Sequence, residues 1–222
     1  MNRTPRIYGS LPAEIGKYII NTDEMMFYQY LPISVPEHYG YHLEDRLKKY
    51  SCLVDAVRDD VGFYDWGSSY VYLTAKTIFT NSHNPGNRPG WHSDGFGTRD
   101  LNYIWYDKNP TIFFHDGDLH SFTDDHNISL DEMENLAEGA MRHYVTFPCY
   151  TLLCLDESVI HKVNLDIPDG VRTFVKISVS DKPYSLIGNS VADQRVGHAL
   201  PSIQRTIERN CPILGAQVVK NP

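Results

Sequence analysis

The sequence is poor in the features that announce a partner or a compartment. Its four cysteines, Cys52, Cys149, Cys154 and Cys211, contain no Cys-x-x-Cys pair, which argues against a zinc-thiolate site. No apolar run approaches the roughly 20 residues that a membrane span needs. Met1-Asn2-Arg3-Thr4-Pro5 is not followed by the apolar segment of an export leader. The expectation is a cytoplasmic protein with free thiols and no membrane partner. Lys and Arg form no block and the net charge is −8, so nucleic acid, whose binding depends on neutralising phosphates, is not an expected partner. A Gly-x-Ser-x-Gly elbow, a Gly-x-Gly-x-x-Gly turn and a Walker loop are missing, which removes the support for a serine hydrolase, a dinucleotide-binding fold or a P-loop. There is no internal repeat and no low-complexity segment.

What is present is an ordinary globular composition, 41% hydrophobic and 22% charged over 222 residues, enough to bury a substantial core. We read one domain over residues 1–222, with a supporting segment (1–66), a barrel core (70–180) and a C-terminal extension (181–222). Residues 1–35 mix β-prone pieces, Lys17 to Ile20 and Met26 to Tyr30, with prolines. From about Pro36 to Val61 the pattern is helical: Leu43, Leu47, Tyr50, Leu53, Val54 and Val57 recur at spacings of three and four, ending near Asp59, Asp60 and Gly62. Strands are predicted over Tyr70 to Phe79, Leu101 to Tyr106, Thr111 to Phe114, Tyr144 to Leu155 (bent at Pro148), Val159 to Val163 and Val171 to Val179. Ser129 and Glu132 have the form of a capping box at the start of a helix carrying Met133, Leu136 and Ala140. A short helix is predicted over Leu200 to Asn210. Many short strands between turns, with one or two early helices, predict a mostly β protein with flanking helices, a sandwich or barrel rather than βαβ units.

The chemistry concentrates in Trp91-His92-Ser93-Asp94-Gly95. Two residues apart on extended backbone, His92 and Asp94 leave on one face and can grip a divalent metal from one side. His161, in a β-prone run far downstream, is the candidate third ligand. Two imidazoles and one carboxylate form the facial triad that leaves positions open on non-haem Fe(II). Arg172 opens the next apolar run after a turn, where a fixed cation could hold a carboxylate beside the metal. Asp156 and Glu157, just before His161, are candidates to orient it.

This ordered set, His-x-Asp, a long insert, His, and an Arg about ten residues on, resembles the Fe(II)/2-oxoglutarate-dependent oxygenase superfamily. It is closest to the phytanoyl-CoA-hydroxylase-like branch, with Trp91 just before the motif and Asn164 shortly after the distal histidine. The resemblance covers roughly Tyr70 to Ser180. It implies a double-stranded β-helix (a jelly-roll or cupin-like barrel) in which His92, Asp94 and His161 ligate Fe(II) and are the catalytic centre. It implies further that Arg172 pairs with the distal carboxylate of the cosubstrate 2-oxoglutarate, and that O2 takes a remaining position. Oxidative decarboxylation to succinate and CO2 would then drive hydroxylation. Many members place Ser two residues after the Arg; here that position is Phe174. The second partner of the cosubstrate is therefore sought among Tyr70, Tyr72, Thr74 and Lys76, with Tyr72 and Lys76 the chosen cofactor-binding candidates. Retention of Asp94, replaced by Gly or Ala in related halogenases, implies hydroxylation, desaturation or ring closure.

Two other readings stand beside this one: a cupin-like metal enzyme that does not use 2-oxoglutarate, and a non-catalytic binding domain on the same scaffold. The loop containing His115, Asp116, Asp118, His120, Asp124, Asp125 and His126 reads as an acidic lid, with a second metal site as its alternative. The expected partner is a small-molecule substrate, with Trp91, Phe96, Tyr103 and Trp105 as candidate pocket walls. Residues 181–222 are expected either to close over the pocket or to form a homodimer contact.

Overall fold

The computed structural model describes residues 6–140 and 143–184. These form ten strands, β1 (Ala13–Lys17), β2 (Met26–Ser34), β3 (Tyr70–Thr80), β4 (His92–Ser93), β5 (Leu101–Tyr106), β6 (Ile112–Phe114), β7 (Tyr144–Thr146), β8 (Thr151–Leu155), β9 (Ile160–Lys162) and β10 (Gly170–Ser180). Three helices accompany them, α1 (Ser51–Val61), α2 (Phe63–Gly67) and α3 (His126–Glu138), and a 3-10 turn over Asp45–Tyr50 leads into α1. The strands make two antiparallel sheets, one of six in the order β1-β8-β5-β10-β3-β2 and one of four in the order β4-β9-β6-β7. The protein is thus mostly β. No helix among the described residues is long and apolar enough to cross a membrane. The predicted helix over 200–210 and the proposed roles of the C-terminal extension from residue 185 on lie outside the described residues.

The long strands β3 and β10 pair along their whole length, from Gly170 opposite Thr80 to Ser180 opposite Tyr70. Both are buried on two faces, as their runs of β-branched and aromatic residues require. Alternation along β10 assigns the faces. Val175, Ile177 and Val179 join Val71, Leu73 and Ala75 in a core with Leu53, Val54 and Val57 of α1. The opposite face, with Phe174, meets Ile104, Tyr106, Phe113 and Leu153. A third cluster sets Met133 and Ala137 of α3 against Trp91, Phe114 and Ile160 of the small sheet. The order of layers is α1, large sheet, small sheet, α3, and His92, Asp94 and His161 lie in the gap between the sheets.

Several sequence boundaries move, each for a local reason. Helix does not begin near Pro36, because Glu37 has φ 69° and the Ser34 hydroxyl donates to the carbonyls of His38 and Gly40 (3.0 and 2.8 Å). The first helical turn is a 3-10 turn from Asp45. The chain leaves α1 at Gly62, φ 83°, and Asp60 near that end accepts the Tyr103 hydroxyl at 2.7 Å. The first strand stops at Lys17, so Tyr18 to Ile20 are outside it. Tyr144 to Leu155 divides into β7 and β8, with Tyr150 at φ 69° in the break. α3 starts at His126, capped by Asp125, whose carboxylate accepts from the N–H groups of Asn127 and Ile128. Ser129 is therefore inside the helix, and Glu132 binds Thr123 (2.7 and 2.8 Å) instead of closing a box with Ser129.

Candidate metal centre

β4 is two residues long, yet it places the first candidate ligand with care. His92 pairs with His161 across the antiparallel β4–β9 ladder, so the two rings face one another with centroids 4.5 Å apart. The preceding Trp91 points the other way. Its backbone N–H donates to Glu134 (2.8 Å) and its indole N–H to Glu138 (2.8 Å), fastening the strand to α3. After Asp94 the chain turns at Gly95, φ 73°, where a Cβ would sit 3.0 Å from Thr98 Oγ1 and 3.1 Å from Asp100 Cβ. Thr98 closes that turn on the Gly95 carbonyl through its N–H (2.8 Å) and its hydroxyl (2.7 Å). Ser93 Oγ donates to the Glu157 carbonyl, and the Glu157 carboxylate accepts from Gly97 N at 3.1 Å.

His92, Asp94 and His161 converge. Their ligand atoms all lie within 4.8 Å of one another, and no second such group of His, Cys, Asp and Glu occurs among the described residues. Asp94 Oδ2 is 3.9 Å from His161 Nε2. Each imidazole is oriented through its other nitrogen, as ligating histidines are: His92 Nδ1 lies 2.8 Å from the Gly90 carbonyl and His161 Nδ1 lies 3.2 Å from the Val159 carbonyl. A carbonyl can only accept, so Nδ1 carries the proton in both rings and Nε2 keeps its lone pair. Burial holds the His92 imidazole well below its ordinary pKa, helped by the neighbouring His161. Burial also lowers His161. Both are neutral at neutral pH, the state in which imidazole binds a metal. Asp156 and Glu157 do not orient His161: Asp156 takes the N–H and hydroxyl of Ser158, and Glu157 is used as above and by Arg6 (3.3 Å).

The triad lines a cavity of about 320 Å3, whose wall also includes Lys76, Arg88, Phe174 and Lys176. Such a volume suits a small ligand. Lys176 is buried, and its ammonium donates to Asp94 Oδ2 (3.0 Å) and the Tyr30 hydroxyl (3.2 Å). Lys76 donates to the Gly86 carbonyl (3.1 Å) and Asn87 Oδ1 (3.2 Å). Arg172 shares the face of β10 that carries Phe174 and Lys176, but it does not open on the cavity. The Phe174 ring stands before it, 5.3 Å from the guanidinium. Arg172 Nε donates to the Lys108 carbonyl at 3.0 Å, while Nη1 and Nη2 are buried without a hydrogen-bond partner. Burial lowers its pKa to about 10, which leaves it charged at neutral pH.

The remaining expected residues divide. Thr74 and Phe96 line the cavity. Tyr72 does not; its hydroxyl accepts the Tyr184 N–H (2.8 Å) and its ring stacks on Tyr184, which does line it. Trp91 packs outward against α3, and Tyr103 and Trp105 belong to the core under α1. Strand alternation sends Asn102 and Ile104 to the cavity in their place. The His/Asp-rich loop does not gather a second metal set. His120 pairs with Asp116 (3.0 Å), His115 Nδ1 donates to the Gly9 carbonyl (2.7 Å), Asp125 caps α3, and His126 alone of the set lines the cavity. Lys176 carries no motif. Its signal is parity: four residues past Arg172 on one strand, it must share its face.

No protein-family profile and no curated protein sequence matches this chain. Among solved structures, the crystal structure of EvdO2 from Micromonospora carbonacea var. aurantiaca is similar with a TM-score of 0.36 and 16% identity, over 68% of this chain and 76% of that one. That likeness is too slight to assign a fold or a function.

Proposed function

We propose that the protein is an Fe(II)- and 2-oxoglutarate-dependent oxygenase that hydroxylates a small molecule, with His92, Asp94 and His161 as metal ligands. The observation that carries this reading is the convergence of one carboxylate with two imidazoles whose Nε2 lone pairs are left free by their backbone hydrogen bonds. Three protein ligands leave open positions on an octahedral metal. The strand order supports a double-stranded β-helix: from β3 to β10 the chain deals strands to the two sheets so that β3-β10-β5-β8 face β4-β9-β6-β7, the arrangement of a jelly roll. Bound Fe(II) would supply the chemistry, oxidative decarboxylation of 2-oxoglutarate by O2 to succinate and CO2 with oxygenation of the substrate. Arg172 would receive the far carboxylate, for which its unpartnered Nη1 and Nη2 form a matching fork. Phe174 has to turn aside for that contact, and Lys76, which lines the cavity, would offer the cosubstrate a second cation.

The closed route to Arg172 favours a second reading, a cupin-like metal enzyme that does not use 2-oxoglutarate. Succinate release separates the two. With Fe(II), 2-oxoglutarate and O2 we expect succinate to form, increasing with the right member of a metabolite pool. Asp94→Ala is expected to reduce it by more than the roughly 10- to 100-fold that loss of a supporting contact costs. Metal binding with no succinate under any pool supports the second reading.

A further inference from the structure

Lys176 sits where a charge is costly. It lies midway along β10, opposite Thr74 of β3 and Ile104 of β5, and is only 8% exposed; a lysine that far inside needs polar company. Its ammonium donates across the gap between the sheets to Asp94 Oδ2 at 3.0 Å and, within its own sheet, to the Tyr30 hydroxyl at 3.2 Å. The Asp94 oxygen that it meets is also the one 3.9 Å from His161 Nε2. The ammonium and an ion shared by Asp94 and His161 therefore converge on one carboxylate.

Like charges beside a shared carboxylate repel, and the repulsion is stronger in a buried site, where little water screens it. Without an ion, Lys176 supplies Asp94 with a counter-charge and fixes its direction through a charge-assisted hydrogen bond. With an ion bound, the same ammonium stands near a second positive charge. That repulsion offsets part of the attraction between Asp94 and the ion. The three ligands then hold the ion less tightly than they would beside an uncharged neighbour. Further polar neighbours of Lys176 or Asp94 change the size of this effect and not its sign.

We infer that Lys176 is a positioning residue that serves Asp94 as an internal counter-ion: its ammonium holds the carboxylate in the metal-free protein and lowers the affinity of the triad for a divalent ion. The inference rests on the metal centre proposed above and is independent of 2-oxoglutarate. A lysine that only props the fold and a lysine that opposes the ion call for opposite outcomes when its charge is removed. Loss of a prop weakens the metal site or leaves it unchanged, whereas loss of an opposing charge strengthens it.

The test is metal affinity. The full-length protein is titrated calorimetrically with Fe(II) under argon and with redox-inert Zn(II), as wild type and as Lys176→Met, Lys176→Gln and Lys176→Arg. Lys176→Met and Lys176→Gln, which remove the charge, are expected to bind both ions about tenfold or more tighter, the scale of one charge-assisted hydrogen bond. Lys176→Arg, which keeps the charge, is expected to bind them as wild type does. By linkage, Zn(II) should raise the melting temperature of the two uncharged variants more than that of wild type. Equal or weaker binding by both uncharged variants, or a Lys176→Arg protein as tight as they are, would overturn the inference. Uncharged variants that fold only with the ion support it, and variants that fold neither with it nor without it overturn it by showing a purely structural lysine. Failure of the metal centre shows separately, as a wild-type protein that binds neither ion.

Discussion

At each triad histidine one ring nitrogen donates to a backbone carbonyl two residues back, Gly90 for His92 and Val159 for His161. That local geometry fixes the tautomer and aims Nε2 inward. It also has a consequence for stability, since both imidazoles are held below their ordinary pKa by burial. The unfolded chain then binds more protons than the folded one over the interval beneath the ordinary value of about 6.5. Stability from these two groups is fully present above that value and is lost as pH falls toward the depressed folded values. We expect the urea midpoint of the metal-free protein to drop from pH 7.5 to 5.5, and His161→Gln to flatten the drop; an unchanged slope in the variant would mean that folding does not lower the His161 pKa. Arg172 makes a different kind of prediction. If its open Nη1 and Nη2 receive the cosubstrate, Arg172→Ala should weaken 2-oxoglutarate on the order of 10- to 100-fold and leave Fe(II) affinity nearly as it was. Calorimetry with each ligand checks this, and equal losses would remove the role. The pairing of His92 with Asp94 is legible in the sequence, because side chains two apart on extended chain leave on one face, whereas the approach of His161 needs the β4–β9 ladder. Lys176 is legible only through its parity with Arg172, since no motif marks a lysine in an apolar run.

At the scale of elements, periodicity locates the buried faces better than the ends. Leu43, Leu47, Tyr50, Leu53, Val54 and Val57, read as one helical stripe, are all buried, although the segment begins in loop and 3-10 conformation and becomes α only at Ser51. The ends are set by capping contacts that spacing does not reveal, such as Asp125 taking the role expected of Ser129. Alternation likewise explains why Tyr103 and Trp105 sit under α1 while Asn102 and Ile104 reach the cavity. The decisive element is β10, whose one face holds Arg172, Phe174 and Lys176 toward the small sheet and whose other face closes the core against α1. Ile177 is fully buried on that second face. Ile177→Ala is expected to cost about 2 to 5 kcal/mol in unfolding free energy. Denaturant titration measures it, and a cost below 1 kcal/mol would mean that this face is not packed as described.

For the whole molecule, the two sheets matter because they bring residues distant in sequence to one cavity. His92 and His161 become cross-strand partners in the small sheet, and β10 of the large sheet supplies Lys176 to Asp94 across the gap. The net charge of −8 hides a cavity in which cationic side chains outnumber carboxylates, a local contrast that composition averages away. It is also where a molecule acidic overall would draw in an anionic ligand. The most direct test of the central claim is an anaerobic titration of Fe(II) and 2-oxoglutarate followed by visible absorption. The account predicts one equivalent of iron, a metal-to-ligand charge-transfer band that appears only when both are present, and loss of that band in His161→Ala. Iron bound with no such band in the wild-type protein, or a band that survives His161→Ala, would contradict it.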